Sequence, residues 1–377
     1  MSTLSVRYTY RLRTSRRAEA LLLAEWDRDR WVWNQCVARS KELRLAGEQC
    51  GPALLDKELT TWRAKHEWLG AGSSVAQQQS IRDFGAARAK AIKDITEKVP
   101  VRQRRGFPTF KKRGMARPSM NYTKRGFAVR SGRLHLAGGI DLGVAWSREL
   151  PSTPGSVRIS RDASGRWWAS FVVKIESEPL PASGRQLGVD WGVTETATTT
   201  DPDHDLPHAE HGKVAAARLA HYQRMMARRK SAQGKPASKG YQEAKALAAK
   251  AHAKVARQRA DDARKWAKGV VRSFDQIAVE DFGPKFLAKS TMAKKAADGA
   301  IASAKAELIW MAIKHGRELR LVDPAYTTMD CGECGARATH RLLLSERTYT
   351  CSACGISKPL GYMTPSEKFA ELVALTT

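Results

Sequence analysis

Two pairs of closely spaced cysteines constrain the fold of this chain more than any other feature. Cys331 and Cys334 form the first pair and Cys351 and Cys354 the second, in the pattern C-x2-C-x16-C-x2-C. Four thiolates in two short-spaced pairs supply a closed tetrahedral site for Zn²⁺ and leave no position open for a substrate. The alternatives are two unrelated pairs or a redox motif. The spacing favours a structural zinc site.

The remaining cysteines lie far from these pairs. Cys36 and Cys50 fall in a region of helical periodicity, and the chain has six cysteines in 377 residues. A secreted domain held together by disulfides would be shorter and denser in cysteine. We therefore predict that both are reduced thiols.

The charge of the chain indicates a polyanionic partner. Lys and Arg number 65 against 38 Asp and Glu, a formal net charge of +27 that is spread along the sequence. Such an excess repels itself unless a polyanion neutralises it, and neutralised phosphates drive sequence-independent binding of nucleic acid. We find no apolar run of about 18 residues that would span a bilayer and no apolar core of the signal-peptide type. We therefore expect a cytoplasmic protein that binds nucleic acid and no membrane.

The periodicity predicts two kinds of architecture in one chain. Residues 4–12 alternate like a strand, and helical spacing then continues from about Ser15 to Lys98. Residues 119–175 resemble several short strands with Gly turns, which together with the first strand would build a small β-barrel. After a Pro- and Gly-rich linker at 178–186, strands and helices alternate, as expected for a mixed α/β core.

A basic segment with interleaved aromatics follows the helical region. "RQRRGFPTFKKRG" could be an ordinary solvated loop or a segment that contacts nucleic acid. The candidates for nucleic-acid contact are Arg102, Arg104, Arg105, Phe107, Phe110, Lys111, Lys112 and Arg113.

Two acids each end a short apolar strand. Asp190 lies in "GVDWG" and Glu280 in "IAVED", and Asp281, beside Glu280, would point in a different direction along an extended strand. Carboxylates at adjacent strand ends can hold the Mg²⁺ ions used in two-metal phosphodiester hydrolysis. Two acids alone are a weak basis, since three or more are usual. The histidines of "DPDHDLPHAEHG" have no accompanying catalytic motif, so we predict a polar loop there.

The order of these parts resembles TnpB, a family of transposon-encoded RNA-guided nucleases related to the type V CRISPR effectors. The resemblance rests on "YRLRTS", "WVWNQCVA", "GFPTFKKRG", "GVDWGV", "RQRADDARKWA", "IAVEDF", "VDPAYTTMDCGECG" and "YTCSACG". It implies a guide RNA and a target double-stranded DNA as partners. It also makes Asp190 and Glu280 the first two acids of a RuvC-type site for catalytic Mg²⁺, and adds Arg257 and Arg264 to the candidate nucleic-acid contacts.

The resemblance also implies the fold class and the domains. We expect an RNase H-like α/β core of RuvC type that carries the zinc ribbon, together with a wedge β-barrel and a helical lobe. The implied boundaries are 1–12 for the first barrel strand, 13–100 for the helical lobe, 101–180 for the rest of the barrel, 181–330 for the RuvC core, 331–355 for the zinc ribbon and 356–377 for an atypical C-terminal helix.

The third acid of the family is absent from its expected place. Members carry an Asp-rich helix start a few residues beyond the last Cys-x-x-Cys-Gly, where this chain reads "ISKPLGYMT". Glu367 is the candidate for a displaced third acid, although with Thr364 and Pro365 it also fits a simple helix cap. A truncated or frameshifted tail would explain the same change.

Three hypotheses remain from the sequence. The chain could be an RNA-guided DNA endonuclease, a nuclease-deficient guide-dependent DNA binder or repressor, or an unguided zinc-ribbon DNA-binding protein. The missing acid argues against cleavage, and the resemblance over nearly the whole chain argues against the third hypothesis. The sequence does not specify the oligomeric state.

Overall fold

The computed structural model describes residues 3–281, 283, 292–322, 331, 334–338 and 348–359. The chain divides into two compact units, of which the first comprises Thr3–Ile175 and the second begins at Glu176. Each unit has its own core, and each is described separately below. The exact domain boundaries expected from the sequence stay a prediction.

The first unit contains the predicted helical region. Its longest helix begins directly after Ser15, whose side chain accepts a hydrogen bond from the Ala18 N–H, 3.1 Å, and so caps the helix. Ser73 caps the fourth helix in the same way through the Ala76 N–H, 3.3 Å. The helices are α1 (Arg16–Leu45), α2 (Pro52–Lys65), α3 (Glu67–Gly70) and α4 (Ser74–Thr96).

The helices of the first unit pack around a common apolar cluster. Val32 and Cys36 of α1 meet Leu55 of α2 and Phe84 of α4 in this cluster. Cys36 and Cys50 are both buried free thiols, as the sequence predicts. Burial raises the pKa of the Cys36 thiol, so that side chain stays protonated and apolar.

Seven strands of the first unit form one curved sheet in the order β2-β6-β7-β1-β5-β4-β3. Its two edge strands are consecutive in sequence and are joined by a single 3-10 turn, Lys124–Gly126, so the sheet nearly closes into the expected barrel. The strands are β1 (Thr3–Arg13), β2 (Ser119–Thr123), β3 (Phe127–Arg130), β4 (Arg133–Leu136), β5 (Ile140–Ala145), β6 (Ser156–Arg161) and β7 (Trp167–Glu176).

The second unit is built on a four-stranded sheet in the order β11-β10-β8-β9. Strand β10 pairs in parallel with β8 on one side and β11 on the other, while β9 runs antiparallel to β8. This mixed sheet confirms the α/β core. Its strands are β8 (Gln186–Trp191), β9 (Ala197–Thr199), β10 (Gln276–Glu280) and β11 (Glu318–Val322).

Helices cover this sheet with a continuous apolar core. Trp266 and Val270 of the long sixth helix and Leu308 of the eighth pack against Leu187 and Ile277 of the strands. The helices are α5 (His211–Arg228), α6 (Lys239–Ser273), α7 (Ala293–Gly299) and α8 (Ile301–Lys314). A short antiparallel ribbon, β12 (Thr348–Thr350) with β13 (Ser357–Pro359), lies beside the second cysteine pair.

Candidate active site, zinc ribbon and nucleic-acid surfaces

The two strand-end acids lie on neighbouring strands of the second unit. The parallel register of β8 and β10 pairs Val189 with Val279, and Asp190 and Glu280 each follow by one residue. Both therefore reach the carboxyl end of the sheet, the edge at which open α/β sheets bind ligands. Asp190 is exposed to solvent and Glu280 is half-buried. The fold thus brings together two carboxylates that are 90 residues apart in sequence.

Trp191 fastens the ends of these two strands to each other. Its indole Nε1 donates a hydrogen bond to the backbone carbonyl oxygen of Glu280, 3.1 Å. Its ring packs edge-on against Trp266 of α6, with the ring centroids 5.9 Å apart, and the side chain is buried. The sequence analysis did not single out Trp191. An amphipathic aromatic directly beside a candidate ligand is the signal that could have identified it.

Asp281 extends the strand end away from the two candidate ligands. Its N–H donates to the carbonyl oxygen of Val322, 2.6 Å, and its carboxylate forms an ion pair with Lys305 of α8. The side chain of Lys305 is largely buried. Asp281 is therefore held by α8, which agrees with the expectation that it points differently from Glu280.

The position of a third acid lies outside the described residues, which end at residue 359. Glu367 is therefore not placed. Within the described ranges, the only group of three or more potential metal-ligating side chains is the set of four cysteines. In this part of the chain, no group of three or more such side chains includes Asp190 or Glu280.

The four cysteines form one compact cluster. Their Sγ atoms all lie within 4.8 Å of one another; Sγ of Cys331 lies 3.7 Å from that of Cys354, and Sγ of Cys334 lies 3.6 Å from that of Cys351. A tetrahedron of thiolates around zinc at about 2.3 Å has S···S edges of roughly 3.8 Å. The spacing of the sulfurs therefore fits a zinc ion.

Both cysteine pairs use the same backbone turn. In each pair the N–H of the first cysteine donates to the carbonyl oxygen five residues later, at 2.9 Å in the first pair and 2.8 Å in the second. The carbonyl oxygen of the same cysteine accepts from the N–H of a glycine four residues later, at 2.8 and 3.0 Å. These glycines, Gly335 and Gly355, have φ of +68° and +74°, a conformation that a residue with Cβ rarely adopts. The N–H groups of Cys354 and Ala353 lower the pKa of Cys351 to about 6, so its thiolate is available to a metal at neutral pH.

The basic segment after α4 belongs to the first unit and lies against α1. Phe107 and Phe110 are both partly exposed, and their rings lie under the cationic groups of Arg44 (5.5 Å) and Lys41 (4.8 Å), respectively. The helix thus adds two cations, one turn apart, to the segment. The exposed candidates on the segment are Arg102, Arg104, Arg105, Phe107, Phe110, Lys112 and Arg113.

Lys111 differs from its neighbours because it is anchored inside the unit. Its ammonium group lies 3.7 Å from the ring centroid of Trp33. Its N–H donates to Asn34 Oδ1, 2.8 Å, and its carbonyl oxygen accepts from Asn34 Nδ2, 3.2 Å. Burial lowers the pKa of Lys111 and raises that of the buried Asp29 carboxyl to about 8. These contacts indicate that Lys111 holds the segment on α1, and its contact with nucleic acid stays a prediction.

The remaining candidates lie on α6. Arg257 and Arg264 are both exposed, and Arg264 Nε donates to Glu307 Oε1 of α8, 2.9 Å. Two of the histidines near the start of α5 contact α6: His204 Nε2 lies 3.1 Å from Ser273 Oγ, and His211 Nε2, at the first residue of α5, lies 2.5 Å from Asp262 Oδ2. The polar loop expected there stays a prediction.

Comparisons with known proteins agree with this architecture. Residues 170–290 match the sequence model of the family OrfB_IS605, described as "Probable transposase", and residues 303–358 match the "Cas12f1-like, TNB domain". The chain is 31% identical over 304 residues to a "Putative RNA-guided DNA endonuclease" of Streptomyces pristinaespiralis, covering 79% of this chain and 71% of that relative. The chain belongs to the TnpB family of putative RNA-guided DNA endonucleases.

Two further similarities extend over most of the chain. "Putative RNA-guided DNA endonuclease InsQ" of Escherichia coli (strain K12) is 26% identical over 349 residues, which are 85% of this chain and 81% of that protein. The fold of this TnpB chain is similar to that in the "Cryo-EM structure of the Cas12f1-sgRNA-target DNA complex". That likeness has a TM-score of 0.55 at 10% identity and covers 97% of this chain and 99% of the other. In the described residues, no helix is long and apolar enough to cross a membrane.

Proposed function

We propose that this chain is a transposon-associated, RNA-guided DNA-binding protein with a RuvC-type nuclease core. The observation that carries the proposal is the parallel register that places Asp190 and Glu280 at adjacent strand ends. The relatives at 31% and 26% identity carry names of RNA-guided DNA endonucleases, and the two similarities cover 79% and 85% of this chain.

The partners are a guide RNA and a target double-stranded DNA. In effectors of this kind, base pairing with the guide reads the target sequence, while the protein recognises backbone shape and a short flanking motif. The net charge of +27 provides cations to neutralise the phosphates of both nucleic acids. The segment from Arg102 to Arg113 offers exposed cations for phosphates and the partly exposed rings of Phe107 and Phe110 for bases.

The residues for a divalent metal are Asp190 and Glu280. Carboxylate oxygens are the donors that Mg²⁺ prefers, and the ion when bound would supply activation of water and stabilisation of the leaving oxygen. Asp190 is exposed and accessible to a phosphodiester, whereas Trp191 holds the backbone of Glu280 in place. Lys305 of α8 keeps the carboxylate of Asp281 in an ion pair, so that Asp281 is not among the proposed metal ligands.

A nuclease-deficient, guide-dependent binder is the second candidate function. The stretch from Cys351 to Thr377 contains no Asp, although a third acid should follow the last cysteine pair. Loss of one carboxylate from a two-metal site weakens one metal position and removes transition-state stabilisation. The surfaces that bind RNA and DNA would be unaffected by that loss.

One experiment separates the two candidates. The chain is purified with its co-expressed RNA and incubated with a matched target duplex and Mg²⁺. Cleavage that is lost in Asp190→Ala and Glu280→Gln, and kept in Glu318→Gln, would support the nuclease. Glu318 is a suitable control because it begins β11 at the opposite end of the same sheet.

The same experiment tests whether Glu367 acts as a third acid. If cleavage is lost in Glu367→Gln as well, then Glu367 is the displaced third acid and not only a helix cap. Guide-dependent binding without cuts would reject the nuclease in favour of the deficient binder. A chain that purifies free of RNA and binds every duplex equally would overturn the proposed function altogether.

A further inference from the structure

The long helix α6 carries a straight line of basic side chains on its outer face. At about 100° per residue, seven cations fall within about 40° of one direction. All seven are exposed, and they extend along nearly the whole 35-residue helix: Lys239, Lys250, Lys254, Arg257, Arg264, Lys268 and Arg272. We call these seven residues the α6 stripe. Its spacings of three, four, seven and eleven residues are a signal that the sequence already contains.

The opposite face of α6 is the one that packs on the unit. Val255, Ala263, Trp266 and Val270 point in the direction opposite to the stripe and are buried. The stripe is therefore the face that the core leaves to solvent. Its direction is fixed by the packing, because rotating the helix would expose Trp266 and Val270 to water.

Most of the stripe lacks a partner in the described residues. Arg264 donates to Glu307, but Lys250, Lys254, Arg257, Lys268 and Arg272 form no ion pair with any described residue. Two acids fall in the same line: Glu243, between Lys239 and Lys250, and Asp261, whose carboxylate lies 2.7 Å from the Lys265 ammonium group.

The stripe opposes the stability of its own helix. Like charges three or four residues apart on a helix cost about 0.2–0.5 kcal/mol per pair. Lys250 with Lys254, Lys254 with Arg257, and Lys268 with both Arg264 and Arg272 have this spacing. A permanently bound polyanion, such as a resident RNA, relieves this repulsion continuously. A target DNA that binds only transiently relieves it only while it is bound.

We infer that the α6 stripe binds the phosphate backbone of a double-helical segment of the resident RNA. The part from Lys250 to Arg272 is about 33 Å long at 1.5 Å per residue, which is close to one turn of a nucleic-acid duplex. The stripe contains cations and no aromatic side chain, so it is suited to phosphates and not to stacking on unpaired bases. The inference rests on the proposed function, since it names the surface that would hold the guide RNA.

The test compares two triple variants with the same change in charge. Lys250→Gln, Lys254→Gln and Lys268→Gln together remove three cations from the stripe. Lys230→Gln, Lys235→Gln and Lys245→Gln together remove three exposed cations that lie outside the stripe, two of them between α5 and α6 and one in α6. Both are prepared free of nucleic acid from the full chain, and far-UV circular dichroism checks that both are folded.

The readout is the affinity for a 20-base-pair RNA duplex as a function of salt concentration. Each phosphate contact contributes about 0.9 to the slope of log K against log salt in a B-form duplex. We expect the stripe variant to lose about 2 to 3 from this slope and to bind at least tenfold more weakly at 0.15 M salt than the off-stripe variant. The corresponding Lys→Arg triple variant should restore both.

Other outcomes would overturn the inference. Equal slopes and affinities for the two triple variants would contradict a contact at the stripe, although wild-type binding of the RNA duplex would leave the proposed function standing. A defect seen with a DNA duplex of equal length and absent with RNA would reject the resident RNA as the occupant. No binding of RNA by the wild-type chain would contradict the proposed function and this inference together.

Discussion

The indole N–H of Trp191 donates to the backbone carbonyl oxygen of Glu280, so one side chain joins the ends of two strands that carry the candidate metal ligands. The bond spans 89 residues of sequence. Its donor directly follows Asp190 in the sequence, and its acceptor is the backbone of Glu280 itself. The position of the ligands thus depends on a residue that need not touch the metal.

We predict that Trp191→Phe costs about 1 kcal/mol of unfolding free energy, the usual net value of one such hydrogen bond. The Phe ring keeps the edge-on packing against Trp266, whereas Trp191→Leu removes both the bond and the aromatic contact. Urea unfolding followed by far-UV circular dichroism should therefore rank wild type above Phe and Phe above Leu. Equal stability of wild type and Trp191→Phe would contradict a stabilising role for the bond.

The cysteine cluster predicts one zinc ion per chain. Elemental analysis of protein purified under reducing conditions should find it, and Cys334→Ser or Cys351→Ser should abolish it because a structural site needs all four thiolates. Cys50→Ser is the matched control, since Cys50 is a buried free thiol outside the cluster. Retention of a full zinc ion by Cys351→Ser would contradict the site.

The clamp between Asn34 and Lys111 should protect the basic segment from protease. Asn34→Ala removes both hydrogen bonds to the Lys111 backbone, and at about 1 kcal/mol each the segment should open roughly thirtyfold more often. Limited digestion with trypsin should then cut between residues 102 and 113 correspondingly faster. Asn121→Ala, whose amide bonds to Gln79 in the same unit, should digest like wild type. Unchanged cleavage in Asn34→Ala would mean that other contacts hold the segment.

Asp29 makes the stability of the helical lobe depend on pH. Burial raises its folded-state pKa to about 8, above the unfolded value, so the folded chain keeps a proton there that the unfolded chain releases. The stabilisation is complete below about pH 4 and is lost as the pH rises towards 8. We predict that unfolding free energy falls by about 1.4 kcal/mol per pH unit in this range, on the order of 5 kcal/mol in all, from this group alone.

The control for this pH dependence lies one half-turn away on the same helix. Asp29→Asn should flatten the fall between pH 5 and pH 8, measured by urea unfolding of the full chain. Asp27→Asn should not, because Asp27 is partly exposed and already paired with Arg30 and Arg113. A slope in Asp29→Asn as steep as in wild type would assign the effect to other groups.

Local patterns in the sequence predicted the elements but not their pairing. The strand expected at residues 4–12 is β1, Thr3–Arg13, and the helix expected from about Ser15 begins at Arg16. Strand β1 pairs with β5, more than 125 residues later, and nothing local in either strand specifies that register. The same is true of the pairing of Val189 with Val279, which brings the two acids together.

The site was predicted best where spacing alone determines the chemistry. Four cysteines in short pairs can converge only in a few ways, and they do form one cluster. The role of Lys111, in contrast, could not be predicted from the spacing of residues in the sequence. In sequence it is one of several equivalent basic residues, but Trp33 and Asn34, nearly 80 residues earlier, set it apart from its neighbours. Tertiary contacts of that range carry no signal in the segment itself.

The central claim is that a guide RNA directs this chain to DNA, and binding without cleavage tests it most directly. The chain with its co-expressed RNA is titrated with a matched duplex and with a scrambled duplex of equal length, in EDTA so that no cutting intervenes. We expect the matched duplex to bind at least a hundredfold more tightly than the scrambled one, with Asp190→Ala behaving like wild type. Equal affinity for the two duplexes would contradict it.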